Sequence, residues 1–436
     1  MDKEQENTED CKDKLWHPAC TSLFLLVALT LSLSMQAQEY KFIDYEANVL
    51  HYDSASPSMQ AFFDRWQRVM TTGSGNLNIV HIGGSHVQAG VLSNTIRCRL
   101  LATYPDRIAS RGMLFPYSAA ARCNNPPDYR IHCRERMILT RCIAKEHDYP
   151  LGLCGIAVTA ADTLTEIQVV MNEPTVDYTT DRIVVIGHSD EEMVPLLHID
   201  GREIPPSYIA RNTDRYVFNL TTPVDSFAII LPCRQGQQFT LTGLFLGNRH
   251  AGISLSAIGV NGAAVPDYLR CRHFVRDLRM LHPDLVIFGI GINDAVPTNF
   301  DTAAFRQNYL SLVDSVRAAN PDCAFLFVTN NDSYRKTGRR KYAVNTNGQL
   351  AREVFYRLAH DVDGAVWDQF EVMGGLKSMD QWRLAKLGRP DRVHFTTTGY
   401  RLLGNLFCDA FLDALANASN RQKKKPANND IHIPEL

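Results

Sequence analysis

Four short segments of this 436-residue chain combine residue types that can do acyl chemistry. The first, Gly83-Gly84-Ser85-His86, ends the mostly apolar run Asn78 to Ile82 and precedes Val87, Val91, Ile96 and Leu100 at roughly helical spacing. A strand that stops at a glycine turn, a serine and a helix sets a hydroxyl at the carboxyl end of a sheet, beside N–H groups and a positive helix end. Alone, the same residues also describe a plain strand-to-helix turn with Ser85 as its N-cap. The second segment is Ile258-Gly259-Val260-Asn261-Gly262-Ala263, and the third is Gly289-Ile290-Gly291-Ile292-Asn293-Asp294, after a nearly all-apolar strand. The fourth is Asp391-Arg392-Val393-His394-Phe395-Thr396.

A serine that hydrolyses an ester needs a base to take its proton, and that base needs a partner to hold its tautomer. Asp391 and His394, three apart on one turn, can hydrogen-bond and present the imidazole to Ser85. The oxyanion then needs fixed donors, which the Ser85 and Gly262 N–H groups and the Asn293 amide can supply, each worth about 3–4 kcal/mol in the transition state. A lone D-x-x-H or G-x-N-D is usually structural; the four together, in order and at strand ends, point to a nucleophile.

The elements that must position these residues read as a parallel sheet. Strands are expected at 253–258, 284–290, 324–328 and 365–368, and helices at 59–70, 267–281, 302–319, 349–359 and from 397 onward. Strand–helix alternation of this kind puts helices on both faces of a parallel sheet, whose ligand sites lie at the strands' carboxyl ends. Between 155 and 246 the pattern changes to short β runs without helices (166–171, 182–186, 216–220, 227–231 and 239–244), which argues for an inserted antiparallel sandwich. The stretch from 105 to 150 reads as irregular and cysteine-rich. These boundaries give a lead-in and first hydrolase part at 38–105, an inserted β-rich domain at 106–250, the remainder at 251–416 and a polar tail, expected to be disordered, at 417–436.

A net charge of −2 gives no electrostatic case for nucleic acid, and 45% hydrophobic residues supply ample core. The apolar run 22–35 is short for a membrane span and suits the core of a signal peptide cut after Ala37 (the segment 1–37), with an uncleaved anchor as the rival. That reading places the mature chain outside the cytoplasm, in the periplasm or cell envelope, without a membrane span. None of the 11 cysteines forms a C-x-x-C pair, so thiols and disulfides both stay open. No His/Cys/Asp cluster has metal spacing, and neither metal nor cofactor is expected. His86 reads as scaffolding, and the cations Arg335, Lys336, Arg339, Arg340 and Lys341 as a solvated loop or an anionic-glycan contact. Asp332 and Asp368 end strands and read as turn caps, with a second catalytic acid as the alternative.

On these residues the chain resembles the SGNH/GDSL hydrolases, whose four blocks are named for a serine, a glycine, an asparagine and a histidine. Here those are Ser85, Gly262, Asn293 and His394, with Asp391 at the D-x-x-H aspartate. The resemblance runs from Leu77 to Leu415. It is closer to the bacterial G-D-S-H branch with a carbohydrate-binding-type insert, which includes peptidoglycan O-acetylesterases; Trp367-Asp368, Met373 to Met379 and Trp382 look like that branch too. It implies an α/β, flavodoxin-like three-layer sheet with an inserted jelly-roll-like sandwich. It also implies an exported esterase acting on an O-acetylated glycan. A glycan-binding protein with a degenerate site, a lipid or thioester hydrolase, and an O-acetyltransferase are the alternatives. One departure stands out: the family's aspartate before the serine is Gly84 here.

Overall fold

The computed structural model describes residues 40–103, 110–120, 125–147, 149–161, 163–189 and 193–424. The apolar run at 22–35, with the signal-peptide and anchor readings that rest on it, lies outside the described residues. The chain divides into two units, Met1–Ile43 and Asp44–Leu436. Of the first, a turn is described in which the Ile43 N–H donates to the Tyr40 carbonyl at 2.9 Å. The site lies in the second.

That unit opens with β1 (Leu50–Tyr52) and α1 (Pro57–Thr72). The bounds of α1 follow from its sequence: Ser56 Oγ accepts the Met59 N–H, Pro57 takes the first helical position, and Gly73 leaves in the left-handed conformation at φ 66°. Met59, Phe62, Phe63, Trp66 and Val69 are its buried face. Next comes β2 (Asn76–Gly83), which carries the serine turn. The helix that follows is split into α2 (Ser85–Gln88) and α3 (Val91–Thr103). Gly90 between them is left-handed at φ 76°, and a Cβ on it would meet the Pro126 ring at 2.3 Å. Glycine is needed where the chain at 125–127 crosses this break.

Two antiparallel sheets follow. Their strands are β3 (Gly112–Leu114), β4 (Tyr129–Cys133), β5 (Ile138–Arg141), β6 (Ile156–Ala161), β7 (Leu164–Met171) and β8 (Thr180–His188). They continue with β9 (Leu196–Ile199), β10 (Arg202–Ile204), β11 (Tyr208–Ala210), β12 (Arg215–Val224), β13 (Ser226–Pro232) and β14 (Gln238–Gly247). One sheet runs β10-β9-β13-β7-β4 and the other β11-β12-β8-β14-β6-β5, with β3 also on β14. Every run expected as a strand between 166 and 244 is one. The stretch that reads as irregular adds the short strands β3, β4 and β5, which pair with β14, β7 and β6. Ile167, Val169, Val185, Ile229, Phe239 and Leu241 belong to one buried cluster that continues into Val80, Ile82 and Phe288 of the parallel sheet.

The remainder alternates: β15 (Gly252–Gly259), α4 (Val265–Leu269), α5 (Phe274–Leu281), β16 (Leu285–Gly289), α6 (Thr302–Ala319), β17 (Ala324–Val328). After it come the hairpin β18 (Tyr334–Gly338) and β19 (Lys341–Val344), then α7 (Asn347–Val362), β20 (Ala365–Trp367), α8 (Gln369–Val372), α9 (Ser378–Leu384) and α10 (Thr397–Lys424). Three expectations change here. The helix at 267–281 is broken because the His273 N–H turns away to the Leu151 carbonyl at 3.0 Å. The basic stretch at 334–342 is a paired hairpin, not a loop. The last helix continues past 416 to Lys424.

The strands of the main sheet are ordered β1-β20-β17-β16-β2-β15. Only β1 is antiparallel to its neighbour; the other pairs are parallel. Numbered along the chain, the parallel strands β15-β2-β16-β17-β20 read 2-1-3-4-5, so the winding reverses between β2 and β16. Sheets wound this way open a crevice at the carboxyl ends where the reversal falls. That is where Ser85 and Asn293 emerge.

One strand residue carries a stability prediction. His81 of β2 is buried, with Nδ1 3.0 Å from Ser93 Oγ. Burial first, and then Arg97, push its imidazole from 6.5 down to about 3. Between those values the unfolded chain holds the extra proton, so this contribution is complete above pH 6.5 and is lost as pH falls toward 3, with a slope of about 1.4 kcal/mol per pH unit. In urea titrations between pH 7 and 4, His81→Gln is expected to flatten the acid loss by the slope of one proton; an unchanged slope would show that His81 titrates normally.

Candidate active site

The serine turn is shaped by close backbone approach. A Cβ on Gly83 would sit 2.2 Å from the Val87 side chain, and one on Gly259 would sit 2.2 Å from the Gln88 nitrogen. Only glycine at both places lets α2 fold back onto the ends of β2 and β15. Two buried tyrosines cap the carbonyls at those ends: Tyr268 donates to Gly83 at 2.9 Å and Tyr117 to Gly259 at 2.8 Å. Ser85 is the first residue of α2, so its N–H is left without an intrahelical acceptor.

The segment before α10 brings His394 and Asp391 to the serine. Ser85 Oγ lies 2.7 Å from His394 Nε2, and His394 Nδ1 lies 2.9 Å from Asp391 Oδ2. Asp391 Oδ1 accepts the N–H groups of Val393 and His394, both at 3.0 Å. Partial burial alone would raise the Asp391 carboxyl, but the His394 ring and these two N–H groups outweigh it and hold the group well below the usual carboxylate range. The Ser85–His394–Asp391 chain is therefore connected, with the acid charged at neutral pH.

The second and third segments complete the cleft. Ala263 N–H closes a turn on the Val260 carbonyl at 3.0 Å, and Gly262 within it is left-handed at φ 84°. The Asn261 N–H is fixed by Gln88 Oε1 at 2.6 Å. Asn293 Nδ2 donates one hydrogen to the Ala263 carbonyl at 2.9 Å, which leaves its second for a ligand. Beside it, Asp294 accepts the Val265 N–H; burial lifts its carboxyl to about 7 against that bond. Ser85, Gly262, Asn293 and His394 border a cleft of about 620 Å³, to which Asn125, Pro127, Arg389 and Tyr400 also contribute.

All five residues singled out in the sequence thus meet at one sheet edge. Others were not singled out. Gln88, Tyr117 and Tyr268 hold the turns through backbone groups, a role that leaves no motif. Asn125 and Pro127 come from the irregular stretch. His86 packs behind His394: its ring lies 5.2 Å from that of His394, and Nδ1 is 2.9 Å from Tyr400 Oη. Burial, and then the neighbouring His394, push its imidazole down to about 3, so it stays neutral. Asp332 and Asp368 lie elsewhere: Asp332 Oδ2 accepts the Met379 N–H at the start of α9, and Asp368 caps α8 while pairing with Arg352 at 2.6 Å. Among the described residues, Cys98, Cys133, Cys142, Cys154, Cys271, Cys323 and Cys408 are free thiols.

Gly84 has φ −96° and ψ −138°, and a Cβ on it would lie 3.5 Å from both the Ala263 carbonyl and Asn293 Nδ2. A side chain is therefore admitted, and a carboxylate there would reach the Asn293 amide. Gly84→Asp is expected to raise kcat a few-fold with KM unchanged. An unchanged kcat would mean that the Ala263 carbonyl already supplies the bracing, and a fall would mean that the carboxylate takes the Asn293 hydrogen left for the ligand.

A parallel sheet wound this way, with three strand ends and the turn before the last helix converging on one cleft, is the fold of the SGNH/GDSL-type ester hydrolases, which this chain resembles. Residues 239–402 match the GDSL-like Lipase/Acylhydrolase family. That stretch holds Gly262, Asn293, Asp391 and His394; Ser85 lies before it and reaches the cleft through β2. No curated protein sequence matches the chain. Among solved structures, a peptidoglycan O-acetylesterase is similar over 87% of this chain and 99% of its own, at 20% identity and a TM-score of 0.69. The acetyl xylan esterase AlAXEase overlaps 36% of this chain and 81% of its own, at 20% identity and a TM-score of 0.29. A family two carbohydrate esterase from Clostridium thermocellum overlaps 60% of this chain and 94% of its own, at 12% identity and a TM-score of 0.28.

Proposed function

We propose that this chain is an exported serine esterase that removes O-acyl groups, acetyl in the first place, from a cell-envelope glycan. The observation that carries the reading is the unbroken path from Ser85 Oγ through His394 to Asp391, at 2.7 and 2.9 Å, opening onto the cleft that Gly262 and Asn293 border. Ser85 Oγ attacks the ester carbonyl while His394 Nε2 takes its proton; Asp391 holds the ring and balances the imidazolium. The oxyanion meets the Ser85 N–H, the Gly262 N–H and the free hydrogen of Asn293 Nδ2. Collapse breaks the bond to the sugar oxygen, which leaves with the proton from His394. Water then adds to the acyl-enzyme by the same steps and releases the acid.

The glycan and acetyl parts of this reading rest on the sequence resemblance and on the fold shared with a peptidoglycan O-acetylesterase. On the same basis we take the two antiparallel sheets as an inserted carbohydrate-binding-like sandwich beside a three-layer hydrolase domain. Export rests on the apolar run at 22–35 and the Ala37 cut. Among the described residues no helix is long and apolar enough to cross a membrane.

The test is acetate release from O-acetylated glycan and from an aryl acetate, with Ser85→Ala in parallel. Release from both by the wild-type chain alone is expected. Equal rates in Ser85→Ala would remove Ser85 from the mechanism, and glycan binding without release would favour a binding module. Transfer of acetyl to an added sugar rather than to water would make the chain a transferase.

A further inference from the structure

The D-x-x-H turn is short, irregular and carries a non-glycine residue in the left-handed region: Arg392, at φ 58°. It lies between the two residues that must stay in register with Ser85. What restrains it comes from the basic hairpin. Tyr334 of β18 and Tyr342 of β19 stand on one face of that hairpin, since Lys336 pairs with Tyr342 and Tyr334 with Val344. The Arg392 guanidinium lies over both rings, 4.9 Å from the Tyr334 centroid and 5.0 Å from that of Tyr342. Its Nε is 3.4 Å from Asp380 Oδ1, while Tyr334 Oη donates to Asp380 Oδ2 at 2.8 Å. Burial, and then that bond, lift the Tyr334 phenol to about 12, so it remains a donor. The backbone is tied as well: the Tyr334 N–H donates to the Arg392 carbonyl at 3.1 Å, and Asn331 Nδ2 donates to the Val393 carbonyl at 3.0 Å.

From this arrangement we propose that Tyr334, Tyr342 and Asp380 are positioning residues that act through Arg392 to hold the Asp391–His394 turn against Ser85. The inference rests on the proposed serine-esterase reading and adds a set of residues outside its four blocks. A guanidinium suits this position because its planar face stacks on rings while its edge pairs with a carboxylate, which an ammonium cannot do together. The hairpin thereby has a part distinct from its exposed cations. Its inner face splints the turn, and a splint that slips moves His394 away from Ser85 while Gly262 and Asn293 keep their places in the cleft.

Hydrolysis of an aryl acetate by the full chain tests this, with kcat and KM measured separately. Tyr342→Leu, at a half-buried position, and Arg392→Gly are each expected to lower kcat by about tenfold or more with KM little changed, because small displacements of a reacting group cost that much. Tyr342→Phe keeps the ring and is expected to turn over like the wild type. Arg392→Gly is the sharper variant, since it relieves the left-handed backbone while deleting the clamp. Wild-type kcat in Tyr342→Leu and Arg392→Gly, or a loss confined to KM, would overturn the clamp. A loss in Tyr342→Phe equal to that in Tyr342→Leu would overturn it too. Ser85→Ala in the same assay separates the two readings: if it is inactive and the clamp variants are undiminished, only the clamp falls, whereas if it is fully active the esterase mechanism itself falls.

Discussion

Ser85→Ala is expected to lower kcat on an aryl acetate by about 10⁴-fold or more, and adding His394→Ala is expected to take away little further. The reason is geometric. The hydroxyl is a weak nucleophile until His394 Nε2, 2.7 Å away, accepts its proton, and the imidazole has nothing to activate when the hydroxyl is gone. Two groups that act as a unit fail as a unit. The remaining rate comes from binding and from the oxyanion donors, which neither substitution touches. Asp391→Asn adds a finer check. Its carbonyl can still accept the Val393 and His394 N–H groups, so the turn is kept, but an amide facing Nδ1 in place of the carboxylate favours the tautomer with hydrogen on Nε2. A loss of about 10⁴-fold is expected for that change alone. If the losses from Ser85 and His394 multiply instead, the two residues serve separate ends.

Asn293→Ala carries the second large effect, a loss of about 10² to 10³ in kcat with KM nearly unchanged. One Nδ2 hydrogen is committed to the Ala263 carbonyl at 2.9 Å, and this bond aims the other. The donor is thus oriented before substrate arrives, and its bond strengthens only as the carbonyl oxygen becomes an anion. Gly262 borders the same cleft from a different strand end, so Asn293→Ala leaves a partial hole rather than none. Asn293→Asp is expected to be worse than alanine, because it sets a carboxylate where negative charge develops. A loss that falls on KM would instead mean that the amide binds the ground state.

Much of this was legible in the sequence. Strand and helix types were readable wherever apolar periodicity was unmixed: α6 runs from Thr302 to Ala319 and β17 from Ala324 to Val328, as their patterns predict. The five candidate residues could be singled out because a glycine turn with a serine, a second glycine turn, an asparagine and a D-x-x-H pair have few structural reasons to gather. What could not be read were decisions made by tertiary contact. The break at Gly90 depends on Pro126, and the break before α5 depends on Leu151; neither partner is near in sequence. Arg335 to Lys341 read as a solvated loop because charge dominated the pattern. The two tyrosines that make one hairpin face look unremarkable until Arg392 is laid across them.

The order of strands also sets a clock. Ser85 and His394 are 309 positions apart, and β2 lies between β15 and β16, both of which follow the whole antiparallel region in the chain. At ribosomal speeds of about 5–20 residues per second, Ser85 is made about 15–60 s before His394. Pairings between such distant segments also form slowly, because the intervening loop must close before any contact repays it. The Ser85–His394 contact is therefore a late event, possible only once the segment before α10 has been synthesised, and a chain cut before that segment holds Ser85 without this partner.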